Sequence, residues 1–325
     1  MKHISFPSIE QFRSVIKHVQ DNAKHNNELL PILSFTGTVK LHGTNHAVCR
    51  APNNKIYTQS RERITTVELD NAGSSAYTKD NIGLFIELFR IIDSRENVSS
   101  EDTIQIFGEW CGGNIQKSVG LNQLPRMFVA FSISISKDFE SQVFLSDSLV
   151  KEYCTKAHIA SVFDFPTYSI DIDFNQPEVA QAKLIKLTEA VEKDCPVARQ
   201  LLGKDAKTLV GEGVVWTTIY KNRTLRFKVK GEKHSISKVK TLANVDIEKV
   251  NSIREFVSNV VTEARLLQGL EHVEAREAKY TGTFLKWVMS DIYKEESDTM
   301  SGNGFTSKEV SGPLSTTIRQ WFLAY

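Results

Sequence analysis

Apolar and polar positions along the chain follow two different periods. Ile9, Phe12, Val15, Ile16 and Val19 recur at helical spacing, which predicts a helix over residues 8–19 with Ser8 and Gln11 as a capping box. From Ile32 the pattern becomes β-like. Residues 32–35 and 38–39 form a strand leading into Lys40, residues 47–50 stay extended, 52–54 turn, and 55–58 return as a hairpin. Residues 81–92 predict a helix with Ile82, Phe85, Ile86 and Phe89 on one face. Residues 93–102 read as a polar loop. Strands are expected at 103–108, ending at Glu109, and at 127–133, which is apolar enough to be buried on both faces. Residues 178–191 are helical by spacing, and 210–220 and 224–230 are strands around a turn at Asn222-Arg223.

From about Leu242 the β pattern stops. Ile247, Val250, Ile253, Val257, Val260, Ala264 and Leu267 mark one long amphipathic helix, and Phe284, Trp287, Val288 and Ile292 a second. Residues 301–304 read as a loop and 314–323 as a short terminal helix. The expectation is an α+β domain over residues 1–240, built of antiparallel strands and helices, and a small all-α domain over 241–325.

Composition adds constraints. The chain has 325 residues, 41% hydrophobic and 24% charged, which suits a soluble globular protein. No apolar run approaches the roughly 20 residues a membrane-spanning helix needs. Glu10 and Asp21 interrupt the N-terminal stretch, so neither a secretory signal nor a mitochondrial presequence is expected. Cys49, Cys111, Cys154 and Cys195 lack metal-ligand spacing and read as reduced thiols of a cytoplasmic protein. Net charge is only +1, so any nucleic-acid contact must come from a local basic surface. Nothing suggests a coiled coil, and a monomer is expected.

Candidate chemistry gathers at five places. Lys40-Leu41-His42-Gly43-Thr44-Asn45 puts a lysine at a strand end, just before a glycine. Alone it reads as a solvated charge. Ser60-Arg61 follows the hairpin, where a guanidinium can grip a phosphate. Phe107-Gly108-Glu109 places a carboxylate beside glycines that admit a ligand. Gly211-Glu212-Gly213 offers a carboxylate for a divalent ion next to phosphates. In Arg226-Phe227-Lys228-Val229-Lys230, alternation sends Phe227 and Val229 to the core and the three cations to a phosphate-bearing cleft. Residues 221–240 hold eight Lys or Arg and a single acid, Glu232.

In this order the motifs resemble the covalent nucleotidyltransferase superfamily of ATP-dependent ligases and mRNA capping enzymes. His42, and Phe107-Gly108-Glu109 followed by Gly113 and Ile115-Gln116-Lys117, are similar to one branch, the type-2 RNA ligases of phages and the kinetoplastid RNA-editing ligases. The resemblance implies an ATP-grasp-like ligase domain and a reaction in which Lys40 takes AMP from ATP. It implies nucleotide contacts by Arg61, a ribose contact by Glu109, adenine stacking by Phe131, a metal-site acid at Glu212 and phosphate contacts by Lys228 and Lys230. His42 is placed beside the nucleophile, to position phosphate or metal-bound water or to make a structural hydrogen bond. Two positions depart from the family pattern: Ser132 stands where aspartate is frequent, and Val39 where phage enzymes can carry an acid.

The implied cofactors are ATP and Mg²⁺ or Mn²⁺, and the implied partners are RNA ends in nicked or templated duplex, with no membrane. The chemistry fits, because attack on the α-phosphate needs a neutral lysine amine and cations to neutralise phosphate charge. The alternatives are a DNA ligase or capping guanylyltransferase, or a catalytically silent RNA-end-binding protein. The first two usually append a small β-barrel where this chain appends helices. Those helices would hold the substrate RNA or simply pack as a stabilising domain.

Overall fold

The computed structural model describes residues 1–70, 72–113, 115, 119–203, 209–230, 253–273, 277–302 and 304–324. The chain divides into two compact units. The first comprises Met1–Ile9, Ile32–Ile172 and Lys183–Val229, and the second Glu10–Pro31, Asp173–Ala182 and Lys230–Tyr325. The expected boundary at 240/241 lies outside the described residues, as do Ile247 and Val250.

Two sheets organise the first unit. The larger has six strands, β2 (Gly43–Arg50), β3 (Ile56–Ser60), β4 (Ile64–Thr65), β5 (Thr103–Cys111), β6 (Met127–Ser136) and β7 (Val143–Phe144), in the order β4-β3-β2-β5-β6-β7. The smaller has β1 (Ile32–Lys40), β8 (Thr167–Asp173), β9 (Gly213–Tyr220) and β10 (Arg223–Lys230), ordered β10-β9-β1-β8. The pairings of β1 with β9 and of β2 through β7 are antiparallel. One face of the four-stranded sheet is core: Phe35, Trp216 and Phe227 are fully buried and in ring contact. Its other face carries Lys40, Thr38, Val215, Arg226 and Lys228 by strand alternation. This is the mixed antiparallel α+β architecture that the sequence predicts.

Local boundaries depart from the expectation where long-range contacts outweigh local signals. The first helix, α1, spans Phe12–His25, and no Ser8 capping box forms. Residues before it are held instead along the six-stranded sheet. Gln59 exchanges hydrogen bonds with both backbone groups of Ile4 (3.2 and 2.6 Å), and Tyr57 donates to Lys2 O at 2.6 Å. Strand β5 runs through Glu109 to Cys111 because it pairs on both sides, Glu109 facing Asn45 and Val129. The tight turn before β10 is Lys221-Asn222, both left-handed (φ 48° and 61°), which suits a two-residue hairpin. Helices α2 (Ser74–Asp80) and α3 (Ile82–Arg95) follow β4, and Ile86 on α3 is exposed while Leu88 and Ile92 are buried with Phe85 and Phe89. Helices α4 (Asp147–Lys156), α5 (Glu178–Lys193) and α6 (Pro196–Leu202) complete the elements before β9.

In the helical unit the expected single long helix is broken into α7 (Ile253–Val260) and α8 (Glu263–Leu270). Extended Thr262 ends the first run and its side chain accepts the Arg265 N–H, capping the second. Then come α9 (Thr281–Glu295), α10 (Ser297–Gly302) and α11 (Ser307–Ala324). Ser301 and Gly302, expected in a loop, are helical. The last helix is longer than expected because Val310, Leu314, Ile318 and Phe322 bury at four-residue intervals, a stripe that carries it through Pro313. Among the described residues no helix is long and apolar enough to cross a membrane.

One buried cation ties this unit together. Fully buried Arg265 donates to Asp291 (3.0 Å), to Glu296 (3.2 Å) and to Val260 O (2.6 Å). Truncating one partner of such a pair strands the others, so Arg265→Ala should cost about 3–5 kcal/mol in urea unfolding, and Arg265→Met no less than about 2. In the first unit, His46 on β2 is buried against Phe128, its Nε2–H donating to Thr78 Oγ1 at 2.9 Å. Burial lowers its pKa to about 4, with Asp70 partly offsetting. The unfolded chain therefore binds the proton more tightly. Stability should fall by about 2 kcal/mol more from pH 7 to pH 5 in the wild type than in His46→Gln.

Candidate active site

The end of β1 and the start of β9 create the central contact. Their register sets Lys40 opposite Gly213, so Glu212, the residue before β9, lies beside the lysine. Lys40 Nζ donates to Glu212 Oε2 at 2.7 Å, and His42 Nδ1 donates to the same oxygen at 2.9 Å. Glu212 is 2% exposed. A carboxylate so far from water requires charge-assisted partners, and the lysine motif supplies two. Glycines make room for this approach. A Cβ at Gly43 would come within 2.3 Å of Trp110 O, and one at Gly211 within 2.4 Å of Val191 O.

Glu109 forms the second carboxylate. The Asn45–Glu109 register puts it next to the lysine motif, where Gly43 N–H donates to Oε1 at 3.0 Å. Burial raises its pKa to about 7; Lys40, the Gly43 N–H and Arg61 pull it down, and Glu212 pushes it further up. Arg61 therefore belongs to the same electrostatic neighbourhood. It sits in the turn closed by Ser60 N–H to Arg63 O, 2.8 Å.

Phe131 lies on the same sheet, at a bulge. Phe107 pairs with Ser132 and Gly108 with Ala130, leaving Phe131 as the extra residue. It is half-buried against the cluster of Ala47, Cys49, Ala51, Tyr57 and Phe107. The bulge keeps Val129, Phe131 and Ser132 on the side of the sheet that carries Glu109. Sequence periodicity alone marks Phe131 only as a core residue of an apolar strand.

Lys228 is half-buried on β10, the neighbour of β9 in the sheet, so the strand order carries it beside the Glu212 strand. Lys230 is the last residue of β10, and its side chain lies outside the described residues. Arg226 corrects the expectation of three cations facing phosphates. Its guanidinium lies over the Phe6 ring (4.9 Å to the centroid) and the Phe144 ring (4.3 Å), and it donates to Ser132 Oγ at 3.4 Å. Burial lowers its pKa to about 10, with Asp147 offsetting. The sequence reading misses Phe6 and Asp147 altogether: neither sits in a periodic run, and only the fold brings them to this strand.

The structure thus joins Lys40, His42 and Glu212 by direct contact. Glu109 and Arg61 join them electrostatically, and Phe131 and Lys228 by shared sheet faces. A family model described as RNA ligase matches residues 33–239, well over half of the chain, from within β1 to beyond β10. The chain belongs to the RNA ligase family. No curated protein matches the chain. Among solved structures it is similar to a Naegleria gruberi RNA ligase with PPi, at 17% identity and a TM-score of 0.47, covering 70% of this chain and 56% of that one. Variants of the same enzyme with ATP and Mn (17%, TM-score 0.46) and with AMP and Mn (16%, TM-score 0.45) match over the same shares. The chain spans a little over half the length of these matched structures.

Within this RNA ligase family chain, Glu109 offers a direct check. Its raised pKa means the folded state holds a proton that the unfolded state releases from about pH 4.5 upward. The stabilisation is complete below that value and is lost as pH rises through 7. The stability of wild type relative to Glu109→Gln should therefore decline from pH 5 to pH 8, measured by urea unfolding. A flat difference would contradict the assigned environment.

Proposed function

We propose that the chain is an ATP-dependent RNA ligase that joins 3′-hydroxyl and 5′-phosphate RNA ends through a lysyl-AMP. The observation that carries this reading is the convergence of Lys40 and His42 on the single buried carboxylate of Glu212. The family membership and the neighbouring Glu109, Arg61, Phe131 and Lys228 support it.

In the proposed reaction Lys40 Nζ, as the neutral amine, attacks the α-phosphorus of ATP. The bond to the pyrophosphate oxygen breaks and the N–P bond forms, with the amine proton leaving to solvent. Glu212 holds Lys40 in place before ATP arrives, and His42 keeps the carboxylate oriented when the lysine departs. Glu109 receives ribose hydroxyls, Phe131 stacks on adenine, and Arg61, Lys228 and Lys230 neutralise phosphate charge. The 5′-phosphate of an RNA end then takes AMP from Lys40, and a 3′-hydroxyl displaces AMP to seal the strand. Nicked or templated duplex RNA is the proposed substrate form, in repair or editing.

The donor set suits a hard cation. Among the described residues no group of three or more His, Cys, Asp or Glu could hold a metal ion by itself. Magnesium and manganese need no such cage, and Glu212 would be the carboxylate that holds the ion beside the phosphates. The ion would supply charge neutralisation at the phosphates and alignment of the leaving group.

Sealing assays test the reading. With ATP and magnesium, a nicked RNA duplex bearing a 5′-phosphate should be joined. Lys40→Ala should lose this activity by at least about 10³-fold, as expected for removal of a nucleophile. Preference for nicked DNA or for GTP would assign a DNA ligase or a capping guanylyltransferase instead. Tight binding to nicked RNA with no sealing and no nucleotide transfer would assign a silent end-binding protein.

A further inference from the structure

Arg226 shares its strand face with Lys228, but its guanidinium lies against aromatic rings, one of which the reaction above does not use. Phe6 belongs to the segment before α1, which Gln59, Tyr57 and Gln142 hold on the six-stranded sheet through its backbone. Its ring is wedged edge-on among three others: Phe131 at 5.0 Å, Phe107 at 5.1 Å and Phe144 at 5.7 Å between centroids. The Arg226 guanidinium covers Phe6 and Phe144 and reaches Ser132, the residue that shares the bulge with Phe131. A bulge residue has no ladder partner to fix its side chain, so its direction depends on what packs behind it. Here one ring and one cation, both partly buried, occupy that position.

We infer that Phe6 and Arg226 are positioning residues for Phe131, setting the ring on which the nucleotide base stacks and so the affinity and selectivity for the base. This rests on the proposal that Phe131 stacks on adenine. The segment carrying Phe6 is thereby part of the nucleotide site, although its side chain touches no reacting atom. Arg226 acts from behind the ring, through Phe6 on one side and the Ser132 hydroxyl on the other. Its role differs from that of Lys228 on the same strand. Loss of Arg226 should loosen the base without removing a charge from the phosphates.

Lysine adenylation by ATP in the full chain, measured in single turnover over a range of ATP concentrations, separates the possibilities. Phe6→Leu and Arg226→Met should each raise the half-saturating ATP concentration roughly five- to tenfold, the scale of one aromatic or cation–π contact. The rate at saturating ATP should stay within about twofold. The double variant should be little worse than the worse single one, because both act through one ring. Preference for ATP over GTP should fall in all three, a change that loss of fold stability alone does not produce. Arg226→Lys, which keeps a cation near the rings, should recover part of the affinity. Circular dichroism of each variant confirms folding at the assay temperature. If the wild type is adenylated and the folded variants keep both its ATP affinity and its selectivity, the inference is overturned. It is equally overturned if only the saturated rate falls. If the wild type takes up no label at all, it is the ligase reading that fails.

Discussion

A carboxylate buried to 2% exposure is an expensive object, and the first unit is built to provide for Glu212. Its Oε2 receives Lys40 at 2.7 Å and His42 at 2.9 Å. That geometry requires β1 and β9 to be in register at Lys40 and Gly213, and it requires β2 to begin at Gly43, directly after the histidine. It also requires glycines wherever a side chain would collide with the neighbouring backbone. The core face of Phe35, Trp216 and Phe227 holds the register rigid. An uncharged residue at 212 would leave Lys40 without this anchor, and an apolar one at 40 would leave a buried anion.

The second carboxylate differs from the first in what surrounds it. Glu109 is balanced between burial and the repulsion of Glu212 on one side, and Lys40, Arg61 and the Gly43 N–H on the other. Glu109 thus retains a proton more readily than an ordinary carboxylate, while Glu212 accepts hydrogen bonds from Lys40 and His42. A strongly shifted carboxyl beside a lysine is an arrangement common where charge is rearranged.

Much of this was legible along the chain. The β1 strand, the hairpin of β2 and β3, and β5, β6, β9 and β10 all show in alternation or apolar runs. Lys40, Glu109 and Glu212 stand at glycines that a ligand-facing backbone needs. What sequence could not show depends on contacts between distant segments. Ser8 and Gln11 imitate a capping box, but Gln59 draws the preceding residues onto the sheet and the helix starts later. The bulge at Phe131 leaves no local trace, since its strand reads as uniformly apolar. Arg226 looked like one more phosphate-facing cation, and only Phe6 and Phe144 reveal the different use. Thr262 divides one amphipathic run into two helices through a single capping hydrogen bond, a signal easily outweighed by periodicity.

The central claim is that Lys40 carries the nucleotide. Its most direct test is peptide mapping by mass spectrometry after incubation of the full chain with ATP and magnesium. The account predicts one AMP per chain, on the peptide containing Lys40, released by added pyrophosphate. AMP on another lysine, or a chain that forms sealed RNA without any adduct at Lys40, would contradict it.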